Sequence, residues 1–155
     1  MKGLFASIFA MLVALTPVAA KNRHCLLRLH VEANPCDTSV FVASVPAKFS
    51  GKDIAIERTP RISEQDVVAF YPYAAAGKSY GALIQLDDHG RIALDSLSIE
   101  RRGGLVFVFI NTRPITELQI DQRVSDGKIY VASGLTAADI ALMKKDWRLI
   151  GQRRR

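Results

Sequence analysis

The sequence is poor in the residues that most often carry chemistry. Its 155 residues include two cysteines, three histidines and one tryptophan. No His or Cys recurs at the spacing that three or four converging metal ligands need. Gly-x-Ser-x-Gly is missing, neither cysteine sits in a flanking catalytic motif, and none of the many serines is distinguished as a nucleophile. Ser50-Gly51-Lys52 lacks the remaining glycines and the long following helix of a phosphate-binding loop, so it reads as a turn. The one dense polar cluster, Asp87-Asp88-His89, is explained better by helix capping than by metal or acid-base chemistry. We therefore expect no enzyme, no metal and no cofactor. Long hydrophobic runs are also missing after residue 20. The longest, Leu105 to Ile110, is strand-sized, far below the roughly 18 residues of a membrane-spanning helix. Internal repeats and low-complexity tracts are absent.

What is present suits one globular domain: 49% hydrophobic residues, 23% charged, and 21 Lys plus Arg against 15 Asp plus Glu. Residues 1–20, MKGLFASIFAMLVALTPVAA, contain one cation, an apolar run from Leu4 to Leu15, Pro17, and small residues at Val18 and Ala20. This is the three-part pattern of a secretory signal cleaved after Ala20, which predicts a periplasmic or extracellular protein with a single domain over 21–150 and a basic tail at 151–155. Cys25 follows Lys21, Asn22, Arg23 and His24, a spacing that argues against a lipid anchor. Export permits a Cys25–Cys36 disulfide. Cys25 also belongs to an apolar alternation with Leu27, Leu29 and Val31, which makes it a core candidate, and both readings stand open.

Local patterning predicts an α+β fold, a mostly antiparallel sheet with two main helices packed on one face. Cys25 to Glu32 and Thr38 to Val45 read as strands joined in a hairpin by the turn chemistry of residues 33–37. Ile54 to Arg58 follows as a strand, and Ser63-Glu64-Gln65-Asp66 as a short capped helix start. Tyr71 to Tyr80 reads as a loop, Gly81 to Leu86 as a strand. Asp87 is placed to cap a helix from Asp88 to Arg101, which Gly103-Gly104 stops. Leu105 to Ile110 is apolar on both faces and reads as a central strand. Ile115 to Val124 should turn through Ser125-Asp126-Gly127 into Lys128 to Ser133. Thr136 and Asp139 form a capping box ahead of a final helix to Arg148. Phe107, Phe109, Ile129, Val131, Ile140 and Trp147 are the expected core.

From about Pro60 to Trp147 the order of these pieces resembles the head part of the first periplasmic domain of SecD, an accessory subunit of bacterial protein export. Ile62-Ser63-Glu64-Gln65-Asp66-Val67 is similar to that domain's short helix start, and Gly81 to Gly90 to its strand followed by a capped helix with glycine in the first turn. Leu105 to Asn111 is similar to its central strand leading into a polar turn. Asp126 to Ile140 resembles its glycine, isoleucine-rich strand, Ser-Gly-Phe-Thr and acidic helix start, with Leu135 in the aromatic place. Thr116-Glu117-Leu118 replaces the Ser-Ala-Pro of SecD. Membrane helices follow in SecD and are not encoded here, so transport activity is not implied. The resemblance implies a stand-alone α+β module of the envelope that contacts polypeptide or a partner protein.

If that implication holds, the contact surface falls among Phe70, Tyr71, Tyr73 and Tyr80, four aromatics within eleven residues of a predicted loop. The competing reading folds two or three of them inward to fasten the loop to the core. A second function is association with anionic polymers or an anionic membrane surface through the tail, where Arg148, Arg153, Arg154 and Arg155 flank Leu149-Ile150. A small secreted enzyme is the third and least favoured. Nucleic acid is not an expected partner, because export removes the chain from it and the aromatics are not interleaved with basic residues.

Overall fold

The computed structural model describes residues 23–34 and 36–152. The expected signal at 1–20 and Arg153, Arg154 and Arg155 of the basic tail lie outside the described residues. Ten strands and two helices follow in the order β1 (Leu27–Val31), β2 (Val42–Pro46), β3 (Asp53–Glu57), β4 (Ile62–Ser63), β5 (Val67–Ala74), β6 (Tyr80–Leu86), α1 (Asp88–Glu100), β7 (Leu105–Ile110), β8 (Arg113–Gln119), β9 (Lys128–Leu135), α2 (Ala137–Asp146) and β10 (Arg148–Leu149). The class is α+β. The strands form two four-stranded sheets, ordered β4-β1-β7-β8 and β10-β5-β6-β9, and a separate β2-β3 hairpin. Pairing is antiparallel throughout except where β10 lies parallel to β5.

Alternation decides which face each strand buries. Leu27, Leu29 and Val31 of β1, together with Val106, Val108 and Ile110 of β7, enter a main core. That core also takes Phe70, Ile84, Ile129 and Val131 from the second sheet and Leu94, Leu97, Ile140, Met143 and Trp147 from the helices and their ends. The opposite face of β7 presents Leu105, Phe107 and Phe109 to a smaller cluster beneath the hairpin, formed with Val45, Ala47 and Ile56. β7 is therefore covered on both sides, as its uninterrupted apolar run predicts. Phe109 is only half-buried; the other expected core residues are buried.

Helix starts follow the capping chemistry. Asp87 accepts from the Gly90 N–H at 2.8 Å, and Thr136 and Asp139 make the reciprocal box, with Thr136 N–H donating to Asp139 at 2.7 Å.

Three pairings differ from the sequence reading. β1 does not form a hairpin with β2; it lies inside the first sheet between β4 and β7, an inner place that satisfies both of its edges, and β2 pairs with β3 instead. β8 and β9 do not pair either, because the connecting backbone is satisfied elsewhere. Ile120 exchanges hydrogen bonds with Gly103 and Gly104, Val124 N–H donates to Ser98 Oγ, and Gly127 O accepts from Leu86 N–H. Finally, half of the predicted loop from Tyr71 to Tyr80 is strand, with a turn over 75–79 closed by Ala75 N–H to Ser79 O at 2.9 Å.

Candidate functional site

The hairpin of β5 and β6 separates the four aromatics that the sequence groups together. Phe70 is fully buried and meets Trp147 edge to face, ring centroids 6.4 Å apart. It cannot contact a partner without unfolding. Tyr71, one residue on, points the other way and is 55% exposed. Tyr73 and Tyr80 are half-buried. The Tyr73 hydroxyl donates to Val131 O at 2.6 Å, two strands away. To reach it the ring crosses Gly81, where a Cβ would stand 2.3 Å from the tyrosine ring. Beyond Gly81 the ring stacks on Tyr130 at 5.5 Å and 10°. Burial, then Tyr130 beside it, push the Tyr73 phenol above its ordinary pKa, so it stays a neutral donor.

The register completes this surface. Tyr71 lies opposite Leu83, and Leu83 opposite Tyr130, so these side chains and Tyr73 share the outer face of the second sheet. Tyr130, 59% exposed, is absent from the sequence-based set. The alternation Lys128, Ile129, Tyr130, Val131 carries the signal for it, since burial of Ile129 and Val131 turns Tyr130 outward.

Tyr130 also borders a cleft. β8 and β9 are outer strands of the two sheets and share no backbone hydrogen bond. They approach at Gly134, where a Cβ would lie 3.0 Å from Ile115. Away from that contact they bound a cleft of about 540 Å³ lined by Leu83, Leu94, Leu118, Val124, Ile129 and Tyr130, with Asp121, Asp126 and Lys128 among its polar residues. Its size and apolar lining with a few polar groups are those of a ligand site. Each bounding strand also has an edge on which an extended chain can pair.

The polar clusters have structural explanations. Asp66, Asp87 and His89 hold potential metal-ligating atoms within 4.8 Å of one another. Yet Asp66 accepts from Ser63 N–H at 2.8 Å and faces His89 Nδ1 at 2.7 Å, while Asp87 caps α1, so capping accounts for the grouping. The Asp146 carboxylate, buried at the end of α2, accepts from the backbone N–H groups of His24 at 2.5 Å and Cys25 at 2.7 Å and meets His24 Nδ1 at 2.9 Å. Burial opposes its charge, but these bonds outweigh burial and hold Asp146 below the usual carboxylate range.

Both cysteines are free. Cys25 is buried in the main core and Cys36 is exposed.

Two four-stranded sheets sharing a core with two helices, with an apolar cleft between their outer strands, define a small α+β module. No helix among the described residues is long and apolar enough to cross a membrane. No family profile and no curated protein matches the chain.

Solved structures of SecDF share the fold. One, of SecDF described as a membrane component that enhances protein export, superposes with a TM-score of 0.56 at 12% identity, covering 86% of this chain and 70% of that one. Another, SecDF in a super-membrane-facing form, gives 0.57 at 12% identity over 83% of this chain and 20% of that chain. The likeness is one of fold, and against the second structure this chain spans only a fifth of the length.

Proposed function

We infer that this chain is a non-enzymatic interaction module of the cell envelope that binds polypeptide or a partner protein. The observation that carries the reading is the cleft between β8 and β9, where an apolar trough lies beside two sheet edges that have no partner strand among the described residues. An extended segment placed there adds main-chain hydrogen bonds to one edge and buries alternate side chains among Leu118, Val124 and Ile129. Such a mode reads shape and apolarity more than sequence. The shared fold with SecDF, described as enhancing protein export, supports an export-related role for that capacity. In this reading residues 1–20 direct export and are cleaved after Ala20, and the domain works outside the cytoplasm.

Of the four aromatics proposed from the sequence, Tyr71 and Tyr73 lie with Tyr130 on the face adjoining the cleft, Tyr80 sits half-buried at the hairpin end, and Phe70 supports the hairpin from within. A photo-cross-linker at position 130 tests the assignment. It should label an unfolded exported polypeptide, whereas the same group at the exposed Ala141 on α2 should not; equal labelling at both positions overturns the reading. Mass spectrometry of the mature protein tests export, with Lys21 expected as the first residue.

A further inference from the structure

A second cleft, of about 380 Å³, lies on the other side of the first sheet, between that sheet and the β2-β3 hairpin. Its apolar lining includes Val45, Ile56 and Phe109, from the small cluster that seats the hairpin. Its charged lining is of one sign. Arg28 from β1 and Arg58 from the end of β3 both border it, with His30 beside them, and no carboxylate does.

Five arginines among the described residues pair with carboxylates, one of them Arg91 with Asp88. Arg61 and Arg101 share Glu57, Arg113 pairs with Asp139, and Arg123 forks onto Asp95. Arg28 makes no ion pair or side-chain hydrogen bond among the described residues, and Arg58 spends only Nε, on Val42 O at 2.9 Å. His30 Nδ1 lies 2.8 Å from Glu57 O, a group that only accepts, so this nitrogen carries the proton and Nε2 remains available. The ring is fixed edge-on to Phe109 at 5.2 Å. Both arginines are exposed beside an apolar floor, and an anion between them takes up guanidinium donors that are otherwise left to water.

We propose that this cleft binds an amphipathic carboxylate, its anionic head between Arg28 and Arg58 and its apolar body on Val45, Ile56 and Phe109. A medium-chain fatty acid anion and the C-terminal residue of a polypeptide both meet that description. The site is independent of the β8-β9 cleft, because it lies on the opposite face of the first sheet and shares no lining residue with it.

Calorimetric titration of the full chain tests the proposal with four probes: octanoate, octanol, N-acetylphenylalanine and N-acetylphenylalaninamide. At least one carboxylate should bind saturably, about tenfold or more tightly than its neutral counterpart. The tighter of the two identifies the source of the natural ligand. Arg28→Gln and Arg58→Gln should each weaken that binding about tenfold with little change in melting temperature, since neither side chain has a carboxylate partner to lose. Should a glutamine variant fail to fold, Ala43→Phe fills the cleft from its half-buried wall and should abolish binding. Equal binding of acids and neutral counterparts, no saturable binding of either acid, or affinity unchanged in the folded variants would overturn the proposal.

Discussion

Replacement of Gly81 by alanine gives the sharpest test of how the outer aromatic face is built. The added Cβ would stand 2.3 Å from the Tyr73 ring, so the ring must swing away. Displacement forfeits the Tyr73 hydrogen bond to Val131 O, about 1 kcal/mol, and its stacking on Tyr130, about 0.5–1.5 kcal/mol. The smaller conformational freedom of alanine in the unfolded chain returns about 0.4–1 kcal/mol. A net loss of about 0.5–2 kcal/mol is expected, or roughly 2–8 °C in melting temperature for a domain of this size. Calorimetry on a double-mutant cycle separates this cause from any other. Once Tyr73→Ala has removed the ring, Gly81→Ala should stabilise by about 0.4–1 kcal/mol, the effect of unfolded-state freedom alone, so that the two changes couple by about 1.5–2.5 kcal/mol. The same drop in both backgrounds, or none in the wild type, would refute the reasoning.

Other perturbations test other parts of the account. Trp147, 4% exposed against Phe70, should cost about 3–5 kcal/mol as alanine by urea unfolding, and less as phenylalanine because its Nε1 has no partner to lose. Asp146→Ala strands two buried-side donors and should release residues 23–25, seen as faster hydrogen exchange at His24 and Cys25 with the core amides still protected. The Cys25 thiol, its pKa pushed up to about 12 first by burial and then by the charges of Asp139, Asp146 and Glu64, should resist alkylation in the native protein while Cys36 reacts at once. His89 is raised above its ordinary pKa by its hydrogen bond to Asp66 and by that carboxylate's charge, so its contribution is full below about pH 6.5 and is lost as pH rises through the raised value. The melting-temperature advantage of wild type over His89→Gln should therefore shrink on raising the pH from 6, and an advantage that grows would contradict the assignment.

Much of the local structure is legible in the sequence because it depends on neighbouring residues. Asp87, Thr136 and Asp139 declare their caps within three residues, and the run from Leu105 to Ile110 shows a strand buried on both faces. Pairing partners are less visible. Residues 33–37 have turn chemistry, but whether the strands around them pair depends on what β7 and β4 offer to β1, far along the chain. Serine, aspartate and glycine before β9 likewise suggest a hairpin, while Ser98 and Gly104 take the backbone bonds that would have closed it.

The surface shows the same limit. The density of tyrosines from 71 to 80 is visible in the chain, yet alternation along β5 sends Phe70 inward and Tyr71 outward. Tyr130 joins them only through the cross-strand register with Leu83.

The central claim is that the cleft between β8 and β9 binds extended polypeptide. It is tested most directly by titrating the full chain with a reduced, carboxymethylated protein that cannot fold, followed by fluorescence anisotropy. The account predicts saturable binding that Tyr130→Asp, a change at a 59% exposed position, weakens at least tenfold per folded molecule, with the melting temperature lowered only by the few degrees that the lost stacking on Tyr73 accounts for. Binding of equal strength in wild type and Tyr130→Asp, or none at any accessible concentration, would contradict it.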